Sequence, residues 1–395
     1  MFDADVDAVD TACSLDDMSS TDPREHPDRC PGALTMHQAA DGGLARVRLP
    51  GGRLTPDAMV QLAHAASELG DGKLELTSRA NVQFRGITDG DALAERLASA
   101  GLLPSATHER VRNILASPLS GRVGGLADVR ALVQRLDEAL CSRDTLAELP
   151  GRTQFALDDG RGDVTALQPD FGVQAITPEE FALILAGADT GVRIDAEDVV
   201  DVLLDAAQVF VDLRDTQWRL SELSDGPARV LDQLGLGAGE PEELDSSGAD
   251  EAPIGWMTQD DGRVALGGVL AMGVLDARLG EFLAAIERPL VVTPWRGIVV
   301  CDLDEGAADT VVRVLAPMGL IFDASSPWAQ VSACTGSPGC EKSHADVRGD
   351  LTQAVERGDV EAGRRQHWSG CERRCGKPKG DVVDVVAGPT GYRVS

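Results

Sequence analysis

Leu74-Glu-Leu-Thr-Ser-Arg-Ala-Asn-Val-Gln-Phe-Arg-Gly-Ile87 returns, in outline, as Leu290-Val-Val-Thr-Pro-Trp-Arg-Gly-Ile-Val-Val300. The surroundings repeat as well. Ahead of each lies a stretch that opens as a strand and continues as a helix with apolar residues three and four apart: RVRLPGGRLTPDAMVQLAHAASEL from Arg46 and RVALGGVLAMGVLDARLGEFLAAI from Arg263. Behind each lies a second helix, DALAERLASAGL from Asp91 and AADTVVRVLAPMGL from Ala307. The chain therefore holds a duplicated unit of strand, helix, strand with Arg-Gly-Ile, and helix. Each copy is half of an α+β sandwich, and pairing the copies into one sheet layer would bury both helix faces.

A further segment follows each copy, so the order is A, B, A′, B′. Residues 1–28 combine Asp, Ser, Pro and Glu with little apolar content and are expected to be a disordered acidic tail. The first half-domain is expected over 29–104 and the first α/β domain over 105–236. An acidic linker rich in Gly, Pro and Ser spans 237–253. The second half-domain covers 254–323, and the second α/β domain covers 324–395.

The 395 residues carry 36 Lys and Arg against 65 Asp and Glu, a net charge of −29. Such a surface repels phosphates and anionic lipid, which argues against nucleic-acid and membrane partners. No apolar run is long enough to span a bilayer, and MFDADVDAVDTACSLDD is acidic where a secretory signal would be basic and then apolar, so a cytoplasmic location is expected. Disulfides are not expected there, and eight cysteines then point to metal or redox chemistry. Lysine occurs only at Lys73, Lys342, Lys377 and Lys379. Two of these follow Cys375 directly, beside Arg373 and Arg374, so this acidic chain turns basic at its cysteine cluster.

That cluster reads VSACTGSPGCEKSHADV and then HWSGCERRCGKPKGD, placing Cys334 and Cys340 in a C-x5-C step and Cys371 and Cys375 in a C-x3-C step. Four thiolates can hold a [4Fe-4S] cluster. Gly336, Pro338 and Gly339 let the first loop fold tightly, and the basic run would offset the negative cluster or guide an acidic electron donor. A structural zinc site is the competing reading, although zinc knuckles usually use two- or four-residue steps. Cys13, Cys30, Cys141 and Cys301 have no partner spacing.

Within Leu74–Ile87, period-two alternation puts Arg79, Asn81, Gln83 and Arg85 on one strand face and Ala80, Val82 and Phe84 on the other. A polar face is often merely solvated, but arginine with Asn and Gln suits planar carboxylates. Arg112 and Asn113 add a second such group, and Arg122 and Arg152 are further members. Together they fit a carboxylate-rich ligand.

These features resemble the sulfite and nitrite reductase superfamily, in which a ferredoxin-like half-domain and a larger segment are both duplicated, a T-x-R-x-N/T-x-Q strand binds tetrapyrrole carboxylates, and C-x5-C with C-x3-C holds a [4Fe-4S] cluster. The resemblance covers about residues 30 to 395. Within the superfamily, CPGALTMHQAADGGLARVRLPGGRLT, LTSRANVQFRGI, VVTPWRGI and HWSGC most resemble the precorrin-3B synthases of aerobic cobalamin biosynthesis.

The resemblance implies an α+β, three-domain fold: the half-domains join into one, and two pseudo-symmetric α/β domains flank a central pocket. In the reductases that pocket holds sirohaem, and the residue at Cys375 bridges cluster and haem iron. In the synthases it would hold precorrin-3A, clamped by Arg79, Asn81, Gln83, Arg85, Arg112, Asn113 and Arg152. Oxygen, an NADH- or ferredoxin-linked electron donor, and a further iron centre are implied too. His37, His108, His344 and His367 are the candidate iron ligands, each expected first as an ordinary structural histidine. No general base is assigned.

One departure favours the synthase reading. Where sulfite reductases place Lys-x-Lys, this chain has Arg152 and Gln154, and losing a cation weakens help for a small anion. The alternatives are a sirohaem-dependent sulfite or nitrite reductase and a non-catalytic tetrapyrrole-binding protein.

Overall fold

Helix Pro56–Leu69 begins where the Thr55 hydroxyl accepts the Ala58 N–H and Pro56 takes the first position. It buries Ala58, Met59, Leu62, Ala63, Ala65 and Ala66. Its counterpart, Ala277–Ala284, starts at Asp276, whose carboxylate accepts the Arg278 N–H. The two helices pack together at Gly280, where a Cβ would lie 3.2 Å from Ala63 Cβ and 3.5 Å from Met59 Sδ. A single apolar core runs through both copies, from Ala45 and Phe84 to Leu266 and Val300. This computed structural model describes residues 28, 30–248, 252–360, 363–378 and 380–395. All but residue 28 of the expected tail, and Lys379, lie outside them.

The copies do not share one continuous sheet, as the repeat had suggested. They form two sheets that exchange a strand. Val274–Asp276 of the second copy pairs antiparallel with Lys73–Leu76 of the first, and Arg53–Leu54 of the first pairs antiparallel with Leu290–Val292 of the second. Neither sheet is complete without the other copy, and both helix faces are buried.

The repeat also has a register that the letters misplace. Leu74–Ile87 is not one strand but a hairpin, Lys73–Leu76 and Val82–Ile87, around a turn. In that turn the Thr77 N–H donates to Asn81 O (2.9 Å), the Ala80 N–H to Thr77 O (3.1 Å) and the Asn81 N–H to Thr77 Oγ1 (3.1 Å). Thr293–Gly297 reproduces the pattern: Thr293 N–H to Gly297 O (2.9 Å), Arg296 N–H to Thr293 O (3.1 Å), Gly297 N–H to Thr293 Oγ1 (3.2 Å). The fourth residue is left-handed in both, Ala80 at φ 54° and Arg296 at φ 57°. Arg296 is thus equivalent to Ala80 and not to Arg85. The Arg-Gly-Ile tripeptides occupy different places because a threonine hydroxyl, rather than the tripeptide, builds the turn.

Each half-domain is followed by a sheet of common design. Ile114–Ala116, Phe155–Asp158 and Phe171–Ala175 run parallel, and Glu180–Leu185 returns antiparallel, with Ala188–Asp195 at the edge. Val331–Ala333, Gln366–Ser369 and Val383–Gly388 run parallel, and Gly391–Val394 returns antiparallel. The first sheet is covered by helices Arg130–Ser142 and Val199–Leu213 over its own core. The second is smaller, with helix Val347–Arg357 on a short apolar cluster.

The acidic stretch after residue 236 forms neither helix nor strand as far as Gly248, yet it is tied down. The Gly239 N–H donates to Thr190 O (3.2 Å), the Gln174 amide to Asp245 O (2.6 Å) and the Gly248 N–H to Arg161 O (3.0 Å). No described helix is long and apolar enough to cross a membrane.

Candidate functional site

In the second sheet, Cys334 and Cys371 follow the carboxyl ends of neighbouring parallel strands, the usual place for a ligand site in α/β sheets. The Cys334 N–H donates to Trp368 O (2.9 Å), and the Gly370 N–H donates to Cys334 Sγ at 3.2 Å. Gly370 is required there, since a Cβ would fall 1.9 Å from Ser343 Oγ. Cys340 sits on the loop between strand and helix, which is tied by the Ser343 N–H to Cys340 O (3.1 Å) and turns at Gly336, φ 72°. Cys375 closes the set. His367, buried at the strand centre, bonds Ser332 Oγ through Nδ1 (2.8 Å) and Cys375 O through Nε2 (3.2 Å).

The four thiols share one electrostatic neighbourhood. Burial pushes Cys375 up to about 12, and Cys334, Cys371 and Cys340 each push the same way. Burial also raises Cys334, with Cys340 and Cys371 adding to it and the Gly370 and Gly336 N–H groups opposing. At Cys375 the Arg373 guanidinium works the other way, and iron would hold all four groups as thiolates. Among the described residues, no three His, Cys, Asp or Glu side chains meet as a single metal ion would require. A cubane asks for a different arrangement, with thiolates ringing a volume. The described cysteines are all free thiols, with Cys30 and Cys301 buried.

Cys334 and Cys375 also line an open cleft, which encloses about 990 Å3 including space open to solvent. The cleft is arginine-rich: Arg46, Arg79, Arg85, Arg296 and Arg348 all line it, and among the described residues Glu75 is its lone lining carboxylate. Glu75 pairs with Arg348 (2.6 Å) and accepts from Gln83 (2.8 Å), whose carbonyl accepts from Arg46 Nη2 (2.7 Å). The Nε atoms of Arg46 and Arg348 are buried and have no hydrogen-bond partner among the described residues. Burial and neighbouring Arg348 bring the Arg296 guanidinium down to about 10, with Glu75 working the other way.

Three of the expected tetrapyrrole contacts, Arg79, Gln83 and Arg85, therefore reach the cleft, and His37 lines it as well. The other four are not on its wall. Asn81 accepts the Leu49 N–H (2.9 Å) and donates to Asn113 Oδ1 (3.1 Å), bracing the turn. Asn113 donates to Gly151 O (2.9 Å). Arg112 forms a two-pronged pair with Asp137 (2.6 and 2.7 Å), and Arg152 stacks 4.5 Å over Trp218. Arg122 pairs with Asp302 (2.9 Å). His108 bonds Ser105 Oγ (2.9 Å) and Arg143 O (3.1 Å), and the His344 N–H donates to Gly370 O (2.8 Å). Of the basic run, Arg374 and Lys377 pair with Asp384 (3.3 and 2.8 Å), away from the cleft wall.

Sequence reasoning missed Arg46, Arg296, Arg348 and Glu75. A signal existed for two of them. Glu75 lies inside the decisive hairpin, and Arg296 lies in the repeated tripeptide. Arg46 and Arg348 carried none, because only long-range packing brings them to the cleft.

Residues 37–99 match the family model of the nitrite/sulfite reductase ferredoxin-like half domain. Over 380 residues the chain is 27% identical to a precorrin-3B synthase from a Sinorhizobium species, covering 92% of this chain and 81% of that one. It is 23% identical over 401 residues to a ferredoxin–nitrite reductase of Synechococcus elongatus, covering 87% and 75%. The structure of the Mycobacterium tuberculosis NirA protein superposes with a TM-score of 0.75 at 18% identity, over 89% of this chain and 73% of that one. The curated relatives are oxidoreductases. With its duplicated α+β architecture, the chain has the fold of the nitrite and sulfite reductases, and residues 37–99 match their ferredoxin-like half domain.

Proposed function

We propose that the protein is an iron-sulfur oxidoreductase that converts precorrin-3A to precorrin-3B. One observation carries the reading: a chain of net charge −29 gathers five arginines and, among the described residues, one carboxylate around a cleft that Cys334 and Cys375 also line. That is the complement of a carboxylate-fringed macrocycle beside a redox centre. The four thiols, raised by burial and by one another, fit a [4Fe-4S] cluster held by Cys334, Cys340, Cys371 and Cys375. When bound, such a cluster passes single electrons.

The protein's own groups bind and orient. Arg79, Arg46 and Arg348 take acetate and propionate groups, the latter two with buried Nε donors to spare. Gln83 and Glu75 hold Arg46 and Arg348 in place. In the proposed reaction one oxygen atom of O2 enters the macrocycle as a hydroxyl and the other leaves as water, with two electrons and two protons from an external NADH- or ferredoxin-linked donor. A neighbouring acetate then adds its carboxyl oxygen across an adjacent unsaturated bond of the macrocycle, its proton going to the other end of that bond, so a lactone closes without loss of water. Aerobic incubation with precorrin-3A and a reductant, followed by mass spectrometry, tests this: a product one oxygen heavier supports it, and bound but unchanged substrate favours a carrier.

A second reading, a sirohaem-dependent reductase, is favoured by Cys375 lining the cleft, where a thiolate could face a haem iron. Strong sirohaem bands with sulfite-reducing activity would establish it instead.

A further inference from the structure

The cysteines lie on two loops, and each loop is held by an arginine from a different half-domain copy. On the first, Arg85 Nη2 donates to Gly339 O (2.9 Å), beside Cys340, and Nη1 donates to Thr335 Oγ1 (3.3 Å), beside Cys334. On the second, Arg296 Nη2 donates to Gly376 O, beside Cys375. Both loops present a glycine to the guanidinium. A Cβ on Gly339 would lie 3.3 Å from Arg85 Nη2, and one on Gly376 would lie 3.0 Å from Arg296 Nη2.

The two arginines differ in charge balance. Arg85 is neutralised by Asp41, through Nε (2.7 Å) and Nη2 (2.9 Å), so most of its donors are already used. Arg296 forms no ion pair among the described residues; Glu75 acts on it only from a distance, and Arg348 repels it. It is also held at a cost. Its backbone is left-handed where the equivalent residue of the first copy is Ala80, and its Cβ and Cδ would stand 2.9 and 2.8 Å from a Cβ on Gly273. A strained backbone, a glycine kept for the arginine stem and an unbalanced cation all converge on one carbonyl next to Cys375.

We infer that Arg85 and Arg296 are positioning residues that grip the Cys340 and Cys375 loops, and that Arg296, unlike Arg85, sets an unbalanced positive charge beside the cluster. This rests on the cluster reading above. A nearby unbalanced cation favours the reduced, more negative state, whereas a neutral pair does so little. Loop grip and charge can therefore be separated.

The experiment uses the full chain loaded with iron and sulfide. It compares Arg296→Gln, Arg296→Lys and the double variant Asp41→Asn/Arg85→Gln by redox titration followed by electron paramagnetic resonance, and by iron loss to a chelator. All three variants should lose iron roughly 10- to 100-fold faster than the parent, as expected for lost outer-shell support. Only Arg296→Gln should move the midpoint potential clearly negative; Arg296→Lys keeps the charge, and the double variant removes a neutral pair. If Arg296→Gln fails to load, Arg296→Lys carries the test through fast iron loss at a parental potential. Parental iron loss in Arg296→Lys and in the double variant would overturn the grip, and a parental potential in Arg296→Gln would overturn the charge role, both leaving the cluster reading intact. A parent chain that takes up no iron would overturn both readings.

Discussion

Ser117 and Cys334 occupy equivalent places in the two α/β sheets, and their surroundings match bond for bond at first. The Ser117 N–H donates to Leu157 O (3.2 Å) and the Cys334 N–H to Trp368 O (2.9 Å). Ser117 Oγ accepts the Asp159 N–H at 3.1 Å, and Cys334 Sγ accepts the Gly370 N–H at 3.2 Å. Beyond that the halves part. In the first, Ser117 donates to Asp163 (2.6 Å), and the buried Asp158 carboxylate accepts N–H groups from Gly160, Gly162, Val164 and Thr165 at 2.9 to 3.1 Å. That loop is complete in itself. In the second, the strand ends carry thiols that push one another up, opposed by the Gly370 and Gly336 N–H groups at Cys334 and by Arg373 at Cys375. Duplication supplied two frames; one became a closed brace and the other an open cluster of thiols.

The contrast can be broken most severely at the cysteines. Replacing any of Cys334, Cys340, Cys371 or Cys375 with Ala should abolish the broad visible absorption of a thiolate-ligated cluster, while Ser117→Ala leaves it in place. Visible absorption retained in all four cysteine variants would remove them as ligands. In the closed half, Asp158→Ala strands four buried N–H groups and should cost about 3 kcal/mol or more in denaturant unfolding, without touching iron content.

At the cleft, Arg79→Ala should weaken tetrapyrrole binding by about 1.5 to 3 kcal/mol in a fluorescence titration. Arg112→Ala serves as its control: paired with Asp137 and off the cleft wall, it should lower stability by about 1 to 3 kcal/mol and leave affinity unchanged. An affinity loss for Arg112→Ala equal to that for Arg79→Ala would put it back in the site.

The smallest effect concerns pH. Burial, with Asp158 adding to it, raises the Asp163 carboxyl well above its ordinary range. A raised carboxyl binds its proton more tightly folded than unfolded. Its stabilising contribution is therefore full below the unfolded value of about 3.8 and is lost as pH rises through the folded value. Asp163→Asn keeps an acceptor for Ser117 and should melt higher than the parent at neutral pH, with the gap closing as pH falls toward about 4. A gap that stays constant with pH would exclude Asp163 as its source.

Much of this was legible in the residues. Apolar spacing around Arg46–Leu69 and Arg263–Ile286 reports helices that must bury one face, and C-x5-C and C-x3-C each report two thiols near one another, because both depend on local separation along the chain. The alternation of Arg79, Asn81, Gln83 and Arg85 was read correctly as polar and wrongly as one strand face, since a threonine-built turn breaks it at Thr77–Asn81.

The sequence by itself determined the duplication, the α+β class and the two cysteine pairs, all consequences of short-range pattern. Only the tertiary structure decided that the copies exchange strands, that the two cysteine pairs come together, that Arg296 stands where Ala80 stands, and that Arg46 and Arg348 line one cleft with Cys334 and Cys375. Those outcomes depend on which distant backbones pair and on which side chains burial brings face to face, and no local spacing encodes either.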